Sequence, residues 1–191
     1  MRVCCSALLV ALAACGEGTK IGQPEVIVPK EEPPRSVSKT EASELAIAFD
    51  VPKGWESVPP SSDMRLREYR VPDRDGQEAP AELILFHFGE GGGTLEQNLD
   101  NWRQQGTPDE LGGEPAQESF GAGGFDITVI DLQGTYEDRL QGSRKDSRLL
   151  AAYVAAPQGP YFFKLAGPRG TVGDWTADFT AMLKSLRPSG K

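Results

Sequence analysis

Residues 82–88 read Glu-Leu-Ile-Leu-Phe-His-Phe and form the most apolar of the strands that the sequence predicts. Side chains along a strand alternate between its two faces, so Leu83 and Leu85 share one face while Ile84 and Phe86 share the other. Both faces are therefore apolar, which is typical of a strand that is covered on both sides. The stretch predicts the centre of a sheet.

Runs of alternating or β-branched residues, bounded by proline and glycine, predict more strands before and after this one. They cover residues 45–51, 64–71, 116–120, 125–136, 149–156 and 161–166. Turn residues between these runs, such as Asp75-Gly76 and residues 157–160, predict hairpins. Residues 138–147 are polar and are expected to form a mobile connection.

Two helices are expected at separate points of the chain. Thr94 and the glutamine three residues later are typical of a capping box at a helix start. Leu95, Leu99 and Trp102 then give that helix one apolar stripe. A second amphipathic helix is expected to close the domain, from residue 171 or 174 to residue 186.

These elements predict the α+β class. With 191 residues and 38% hydrophobic residues, the chain can bury one core. We expect a single domain over residues 44–188, with residues 189–191 as a short tail. Its sheet is mainly antiparallel, has about six or seven strands, and is flanked by two helices.

The N-terminus predicts export. Residues 3–14 are uncharged, and this apolar run is too short to span a bilayer, which is typical of a signal peptide. The run ends in Leu12-Ala13-Ala14-Cys15, which resembles the lipobox of bacterial lipoproteins. The resemblance implies that residues 1–14 are removed and that Cys15 is acylated. The protein would then be anchored to a cell-envelope membrane, with its domain on the extracytoplasmic, periplasmic side.

Residues 15–43 are rich in proline, glycine and charged side chains. This composition buries too little apolar surface to offset the entropy lost on ordering, so a disordered linker is favoured. As a flexible coil the linker would span about 30 Å. The apolar cluster Val26-Ile27-Val28 leaves docking of this segment on the domain as the alternative.

Composition argues against some functions. The chain has 20 basic and 28 acidic side chains, a net charge of −8. Nucleic-acid binding depends on lysine and arginine at the phosphates, so this balance argues against a nucleic-acid partner. All three cysteines lie within the first 15 residues. If Cys15 is acylated, the mature chain has no disulfide, no cysteine nucleophile and no zinc–thiolate site.

Several segments resemble the PsbP-like superfamily. They include residues 49–55 (FDVPKGW), 161–168 (YFFKLAGP) and 182–188 (MLKSLRP), together with the central strand and the helix that carries a tryptophan. The resemblance covers about residues 44–188 and implies an α/β/α sandwich with a role in binding or assembly. The family has no active site to carry over.

His87 is the only histidine in the chain. As a general base it would need an activated nucleophile and an orienting partner. The sequence contains neither a nucleophile elbow nor a zinc-protease motif, so a hydrogen-bonded histidine in or beside the core is favoured. The glycine-rich residues 89–94 lack the lysine of a phosphate loop, which favours a flexible corner.

Charged clusters offer two further candidates. Asp73, Asp75 and Glu78 present three carboxylates that a calcium ion would accept, but the rest of an EF-hand loop is missing, so a hairpin turn is favoured. A basic loop would contact headgroups or an acidic partner, although a solvated loop is favoured. Its members are Arg139, Arg144, Lys145 and Arg148. The three tryptophans, Trp55, Trp102 and Trp175, occupy expected core positions.

The function expected from the sequence is therefore not enzymatic. A membrane-anchored lipoprotein, without a cofactor, would bind a protein partner or assist an assembly through its PsbP-like domain. The alternative is a module that binds a small ligand or a metal ion in a pocket between the sheet and a helix.

Overall fold

The computed structural model describes residues 45–138 and 142–190. Cys15, the predicted signal peptide and the linker lie outside these residues. The strands are β1 (Ile47–Ala48), β2 (Glu56–Val58), β3 (Arg65–Val71), β4 (Ala81–His87), β5 (Gly106–Pro108), β6 (Ala116–Ala122), β7 (Phe125–Asp138), β8 (Gly142–Ala155), β9 (Tyr161–Pro168) and β10 (Arg187–Pro188). The α-helices are α1 (Leu95–Arg103), α2 (Arg169–Asp174) and α3 (Thr176–Lys184).

The main sheet has eight strands, and every pairing in it is antiparallel. Its order is β2-β3-β4-β9-β8-β7, and both β5 and β6 pair with β7 at the far edge. The α+β prediction with a mainly antiparallel sheet is confirmed, although the sheet has eight strands where about six or seven were expected. The apolar run 82–88 gives β4, which lies inside the sheet between β3 and β9.

Each face of the sheet packs against helices. Leu83 and Leu85 belong to the larger core, which also contains Phe179 and Leu183 of α3. The opposite face packs against α1 through a smaller core. That core consists of Leu99, Trp102, Ile130, Leu132, Leu149, Ala151 and Phe162. The layers are therefore helix, sheet and helix. Among the described residues, no helix has both the length and the apolar character needed to cross a bilayer.

The predicted first strand is much shorter than expected. Only Ile47–Ala48 of residues 45–51 form a strand, and they pair with Arg187–Pro188 rather than with the main sheet. The partner is the short stretch that follows α3, so pairing covers only two residues on each side. Sequence periodicity does not reveal how long the partner strand is when that strand lies so far along the chain, so the length of β1 could not be predicted.

Of the polar stretch 138–147, the described residues 142–147 form a strand rather than the expected mobile connection. Strand β8 begins at Gly142, and Arg144 lies opposite Tyr136 on β7. Backbone hydrogen bonds form a strand pair whatever the polarity of the side chains, and here the side chains of residues 142–146 are exposed on both faces. The polar composition therefore predicted solvent exposure correctly, but it predicted a mobile connection where the backbone forms a strand.

The predicted closing helix is divided in two. Helix α2 ends at Asp174 and α3 begins at Thr176, with Trp175 between them. The indole N–H of Trp175 donates to Pro72 O at 2.7 Å, and its ring packs edge-on against Trp55 at 5.9 Å. These long-range contacts of Trp175 lie at the break between α2 and α3. All three tryptophans are buried, as the sequence predicted.

Candidate functional site

Helix α1 covers only part of its face of the sheet. A helix is about 10 Å across, whereas a sheet seven strands wide measures about 29 Å. The buried sheet residues that share a core with Leu99 and Trp102 of α1 belong to β7, β8 and β9, whereas Phe86 of β4 is only partly buried at the edge of this core. On β4, which lies next to β9, Ile84 and Phe86 are only half-buried, and Phe88 just beyond the strand is 49% exposed. This face of the sheet is therefore partly open to solvent beside β4.

A groove runs between α1 and the sheet at this boundary, with a volume of about 170 Å³. We call it the aromatic–amide groove. It is lined by aromatic side chains and by side chains with amide or ammonium groups: Phe86, Phe88, Asn98, Asn101, Trp102, Gln105, Phe162 and Lys164.

Aromatic rings form one wall and the floor of the groove. Phe86 and Phe88 are two residues apart, so they share a face, and their rings stack with centroids 5.9 Å apart. Phe162 lies opposite Phe86 in the strand register and places its ring 5.9 Å from that of Phe88. Trp102 meets Phe162 edge-on at 6.2 Å. Because Phe162 and Trp102 are buried, Phe88 is the part of this cluster that is most open to solvent.

Amide side chains form the other wall. Asn98, Asn101 and Gln105 follow one another at spacings of three and four residues, which places them along one flank of a helix and its continuation. Asn98 Nδ2 donates to Gly92 O at 2.9 Å and to Thr94 O at 2.8 Å. Both of its N–H groups are thus engaged, which leaves the carbonyl oxygen as its acceptor for a ligand.

Gln105 belongs to a polar cluster at one end of the groove. Its Oε1 accepts hydrogen bonds from Tyr136 Oη at 3.1 Å and from Lys164 Nζ at 3.0 Å. Lys164 Nζ also donates to Tyr136 Oη at 3.0 Å, which closes a triangle of contacts. The carbonyl of Gln105 is fixed by these bonds, and no hydrogen bond from its Nε2 is found within the described part of the chain.

The N-terminus of α1 fixes the position of the amide wall. Thr94 and Gln97 form the predicted capping box, with Thr94 N donating to Gln97 Oε1 at 3.0 Å and Gln97 N to Thr94 Oγ1 at 3.3 Å. Just before it, Gly92 lies against the turn that joins β8 and β9. A Cβ atom on Gly92 would stand 2.7 Å from Pro160 Cγ, so only glycine allows this approach.

A second cavity, of about 330 Å³, lies on the same face towards the other end of β4. We call it the charged cleft. It is lined by Val58, Glu68, Tyr69, Arg70, Pro80, Ala81, Glu82, Arg144 and Ala166. Beside it, Arg65 Nη1 forms ion pairs with Glu68 at 3.0 Å and with Glu82 at 3.3 Å. The guanidinium group of Arg65 thus pairs with two carboxylates.

The two carboxylates of the charged cleft titrate in opposite directions. Burial raises the pKa of Glu82, and its hydrogen bond with Glu68 raises it further. Burial also acts to raise the pKa of Glu68, but the Ser61 amide, Glu82 and Arg65 outweigh it, so the pKa of Glu68 is lowered. Glu82 is therefore the member of the pair that takes up a proton first as the pH falls.

The structure gives His87 a packing role. Its ring stacks on that of Tyr161 at 4.1 Å with an angle of 12°, and its Nε2 lies 3.2 Å from Gln158 O. It is on the face opposite the aromatic–amide groove, since it alternates with Phe86 and Phe88. This matches the interpretation of a hydrogen-bonded histidine beside the core.

The Asp73–Glu78 stretch uses two of its carboxylates for structural bonds. Asp73 Oδ2 accepts the backbone N–H of Glu78 at 2.9 Å, and hydrogen bonds of this kind lower the pKa of Asp73. Glu78 Oε2 instead accepts a hydrogen bond from Thr171 N at 2.9 Å, and this bond connects the turn to α2. Within residues 45–138 and 142–190, no group of three metal-binding side chains converges here or elsewhere.

The predicted basic loop does not form as a single cluster. Arg144 and Lys145 are exposed on β8, whereas Arg148 Nη2 forms an ion pair with Asp131 at 2.6 Å. Arg139 lies outside the described residues. The glycine-rich residues 89–94 form a single 3₁₀ turn, Gly89–Gly92, followed by the Thr94 cap, rather than a cradle for phosphate.

Sequence reasoning missed the amide wall. Asn98, Asn101 and Gln105 occur at helical spacing beside the apolar stripe of α1, and this spacing was the only local signal for them. Nothing in the sequence shows that they face Phe86 and Phe88, because that contact depends on which strand α1 lies beside. Lys164 gave no signal, since it is one polar residue inside an otherwise apolar strand.

No protein-family model matches this chain, and no curated protein matches it in sequence. Solved structures do share its fold. PA94, a protein of unknown function from Pseudomonas aeruginosa, is 10% identical, with a TM-score of 0.50 over 76% of this chain and 99% of its own. LpqN, involved in cell envelope biogenesis of Mycobacterium tuberculosis, is 12% identical, with a TM-score of 0.50 over 75% of this chain and 83% of its own.

A third structure, cyanobacterial PsbP from Synechocystis, is 13% identical, with a TM-score of 0.45 over 75% of this chain and 87% of its own. At 10–12% identity, PA94 and LpqN share a fold with this chain, and the likeness extends no further than the fold. The chain is thus an α+β domain with a mainly antiparallel sheet between helices, a fold that PA94 and LpqN also have.

Proposed function

We propose that this chain is a lipid-anchored protein of the bacterial cell envelope, with a PsbP-like domain that binds a protein partner through the aromatic–amide groove. It acts by binding rather than by catalysis. Cys15 would carry the lipid, and the residues after it would connect the lipid to the domain.

The observation that carries the proposal is the exposure of Phe88 at the rim of the groove. It is 49% exposed, although its ring adjoins those of Phe86 and Phe162. Aromatic side chains in a partly formed pocket, with polar groups around them, are typical of the energetic centres of protein interfaces. The amides of Asn101 and Gln105 supply such polar groups.

The size of the groove favours a protein over a small molecule. Small-molecule pockets usually measure about 300–1,000 Å³, whereas the groove measures about 170 Å³. This volume suits one apolar side chain, whose flanking backbone would meet the amide wall. The uncovered sheet continues from Phe86 to the charged cleft at Glu82, and a macromolecular partner has the area to follow it.

Two lines support the proposed location. The sequence Leu12-Ala13-Ala14-Cys15 resembles a lipobox and ends a short apolar run. LpqN, which shares the fold, is involved in cell envelope biogenesis. A diacylated cysteine provides two hydrocarbon chains, which is the number that stable membrane anchoring requires.

Site-specific photocrosslinking in the native host tests the proposal. Benzoylphenylalanine would replace Phe88 in one strain and Leu111, which is 84% exposed, in a control strain. We expect one adduct of defined mass from position 88 and none from position 111. The partner, once purified, should bind the Phe88→Ser variant at least about tenfold more weakly, as for a residue at an interface centre. Equal affinity of the wild type, Phe88→Ser and Leu111→Ser would overturn the proposal.

The charged cleft supports a second candidate, a small polar ligand. Its volume of about 330 Å³ lies within the usual range for ligand pockets. Glu82 and Arg144 would offer groups of both charges to such a ligand. A thermal-shift screen tests this function, because a ligand at 100 times its dissociation constant stabilises by about 2.7 kcal/mol. A stabilisation that Glu82→Gln abolishes would support it, and a screen without any stabilising ligand would count against it.

A further inference from the structure

Strand β6 (Ala116–Ala122) is an edge strand, because it pairs with β7 on one side and with no other strand that the structure describes. Its seven residues pair with β7 in one continuous register, without a bulge. The strand contains neither proline nor lysine, which natural proteins place on edge strands to prevent further pairing. The other edge strands, β2 and β5, are three residues long. Strand β6 is thus the longest edge to which another strand can add.

The turn between β6 and β7 decides which backbone groups of β6 point outwards. Gly123 and Gly124 form a two-residue loop with φ values of 57° and 87°, as in a type I′ turn. Such a turn closes with a hydrogen-bonded pair, here Ala122 and Phe125, and hydrogen-bonded pairs then alternate along the ladder. Three exposed residues of β6 therefore point their N–H and C=O groups away from β7: Gln117, Ser119 and Gly121.

These outward groups allow β6 to pair with β6 of a second copy of the chain. In an antiparallel pair centred on Ser119, each Ser119 faces the other, and Gln117 of one copy faces Gly121 of the second copy. Opposed residues of this kind exchange two hydrogen bonds per pair, so the dimer would gain about six. Centring the pair on Glu118 instead would place two carboxylates directly opposite each other, which is destabilising.

Charge complementarity favours the register centred on Ser119. It places Glu118 of one copy opposite Phe120 of the other, with Cβ atoms about 4.5–5.5 Å apart. Within each copy, Lys184 Nζ lies 5.5 Å from the centre of the Phe120 ring. The Glu118 carboxylate therefore comes within reach of the Lys184 ammonium group of the second copy, and twofold symmetry creates this contact twice. Both side chains are exposed, and neither forms an ion pair within residues 45–138 and 142–190.

We propose that the protein forms a homodimer in which β6 pairs with β6 of a second copy, centred on Ser119 and flanked by two Glu118–Lys184 ion pairs. The two main sheets then form one continuous sheet. The twofold axis of an antiparallel pair is perpendicular to the sheet, so both aromatic–amide grooves lie on the same face of the dimer. A binding partner that carries two suitable segments would engage both grooves and gain avidity.

Sedimentation equilibrium tests the dimer on the full chain, with Cys4→Ser, Cys5→Ser and Cys15→Ser to remove every thiol. We expect about twice the mass of the 20.6 kDa chain. Ser119→Pro should give a monomer, because it removes the central outward N–H but no bond to β7, a position at which proline is tolerated. Ser119→Ala is the matched control. It also loses the hydroxyl contact with Thr128 Oγ1 at 2.9 Å, but it keeps the N–H and should stay dimeric.

A charge exchange tests the ion pairs at positions that are exposed in the single chain. Glu118→Lys and Lys184→Glu should each weaken the dimer at least about fivefold, because two ion pairs become two contacts between like charges. The double variant, with both changes, should restore the affinity of the original chain. An affinity that is the same in all of these variants would contradict the proposed register.

Disulfide formation tests the centre of the pair in the same chain without thiols. Ser119→Cys should form a linked dimer, since opposed Cα atoms in a hydrogen-bonded pair lie about 5.5 Å apart, within the range of a disulfide. Gln117→Cys should not link, because it faces Gly121 of the second copy. Combining Gln117→Cys with Gly121→Cys should restore the link.

Three outcomes would overturn the homodimer: a monomeric mass at every concentration, a dimer that persists in Ser119→Pro, or equal disulfide yields from positions 117 and 119. The first includes the case in which β6 pairs with an extended segment of another protein. These measurements need neither the lipid nor the protein that contacts Phe88. Their failure leaves the proposed function standing, and a failure of the Phe88 crosslink leaves the homodimer standing.

Discussion

Lys164 Nζ donates a hydrogen bond to Gln105 Oε1 at 3.0 Å, although the two residues lie 59 positions apart. The bond joins β9, inside the sheet, to Gln105, two residues beyond the end of α1. Tyr136 on β7 contacts both partners, at 3.1 Å and 3.0 Å. The C-terminal end of α1, and with it the amide wall of the groove, is thus held by polar bonds as well as by apolar packing.

Gln105→Ala should lower the free energy of unfolding by about 1–3 kcal/mol, because Lys164 and Tyr136 lose a shared acceptor in a partly buried place. Gln104→Ala is the matched control, since the neighbouring side chain is exposed. Urea denaturation of both variants measures the difference. Equal midpoints for the two variants would show that the cluster does not stabilise the domain.

Gly92→Ala should destabilise the domain by about 1–3 kcal/mol through overpacking. The added Cβ would stand 2.7 Å from Pro160 Cγ and 3.2 Å from Phe162 Cε2. Gly91→Ala introduces the same methyl group one residue earlier, where no atom lies within 4 Å. Thermal unfolding compares the two. The prediction is wrong if Gly92→Ala unfolds at the same temperature as Gly91→Ala, since the backbone effect of alanine is common to both.

Glu68 and Glu82 should give the domain opposite pH responses. The pKa of Glu68 is lowered from its ordinary value of 4.5, so the stability it contributes is present above pH 4.5 and is lost as the pH falls through the lowered value. Glu68→Gln should therefore destabilise at pH 7, and the loss should shrink in acid. Urea unfolding between pH 3 and pH 8 measures this.

The pKa of Glu82 is raised, so its contribution is present below pH 4.5 and is lost as the pH rises through the raised value. Glu82→Gln should therefore be more stable than the wild type at pH 7, with a gain that disappears below pH 4.5. The two variants serve as controls for each other. A loss of stability at pH 7 that is the same for both would contradict the assignment.

Arg169→Met should destabilise more than Arg187→Met. Arg169 forms an ion pair with Asp109 and a second with Asp146 at 2.8 Å, and only 16% of its side chain is exposed. Its removal leaves these carboxylates without that partner and should cost at least about 1 kcal/mol. Arg187 is 52% exposed and pairs with Asp50 at 2.9 Å, a surface contact worth about 0–1 kcal/mol. Chemical denaturation at low and high salt separates the two, and an equal effect would refute the ranking.

Elements with a strong local signal were predicted well. The apolar run at residues 82–88 gives β4, the Thr94 capping box starts α1, and the hairpin of β8 and β9 follows its turn residues. In each case the deciding interactions are between near neighbours: alternation along a strand, a hydrogen bond three residues away, or proline and glycine in a turn. The polar residues 142–147 lacked any such signal, so their strand was missed.

The sequence by itself therefore determined the fold class, the interior position of β4 and the apolar stripe of α1, because periodicity and caps act within a few residues. Only the tertiary structure decided that α1 covers β7, β8 and β9 and leaves Phe88 open. It also decided that Gln105 meets Lys164 and Tyr136. The hydrogen bonds of Gln105 join residues up to 59 positions apart. The geometry of all these contacts follows from strand order and from the width of one helix against a wider sheet.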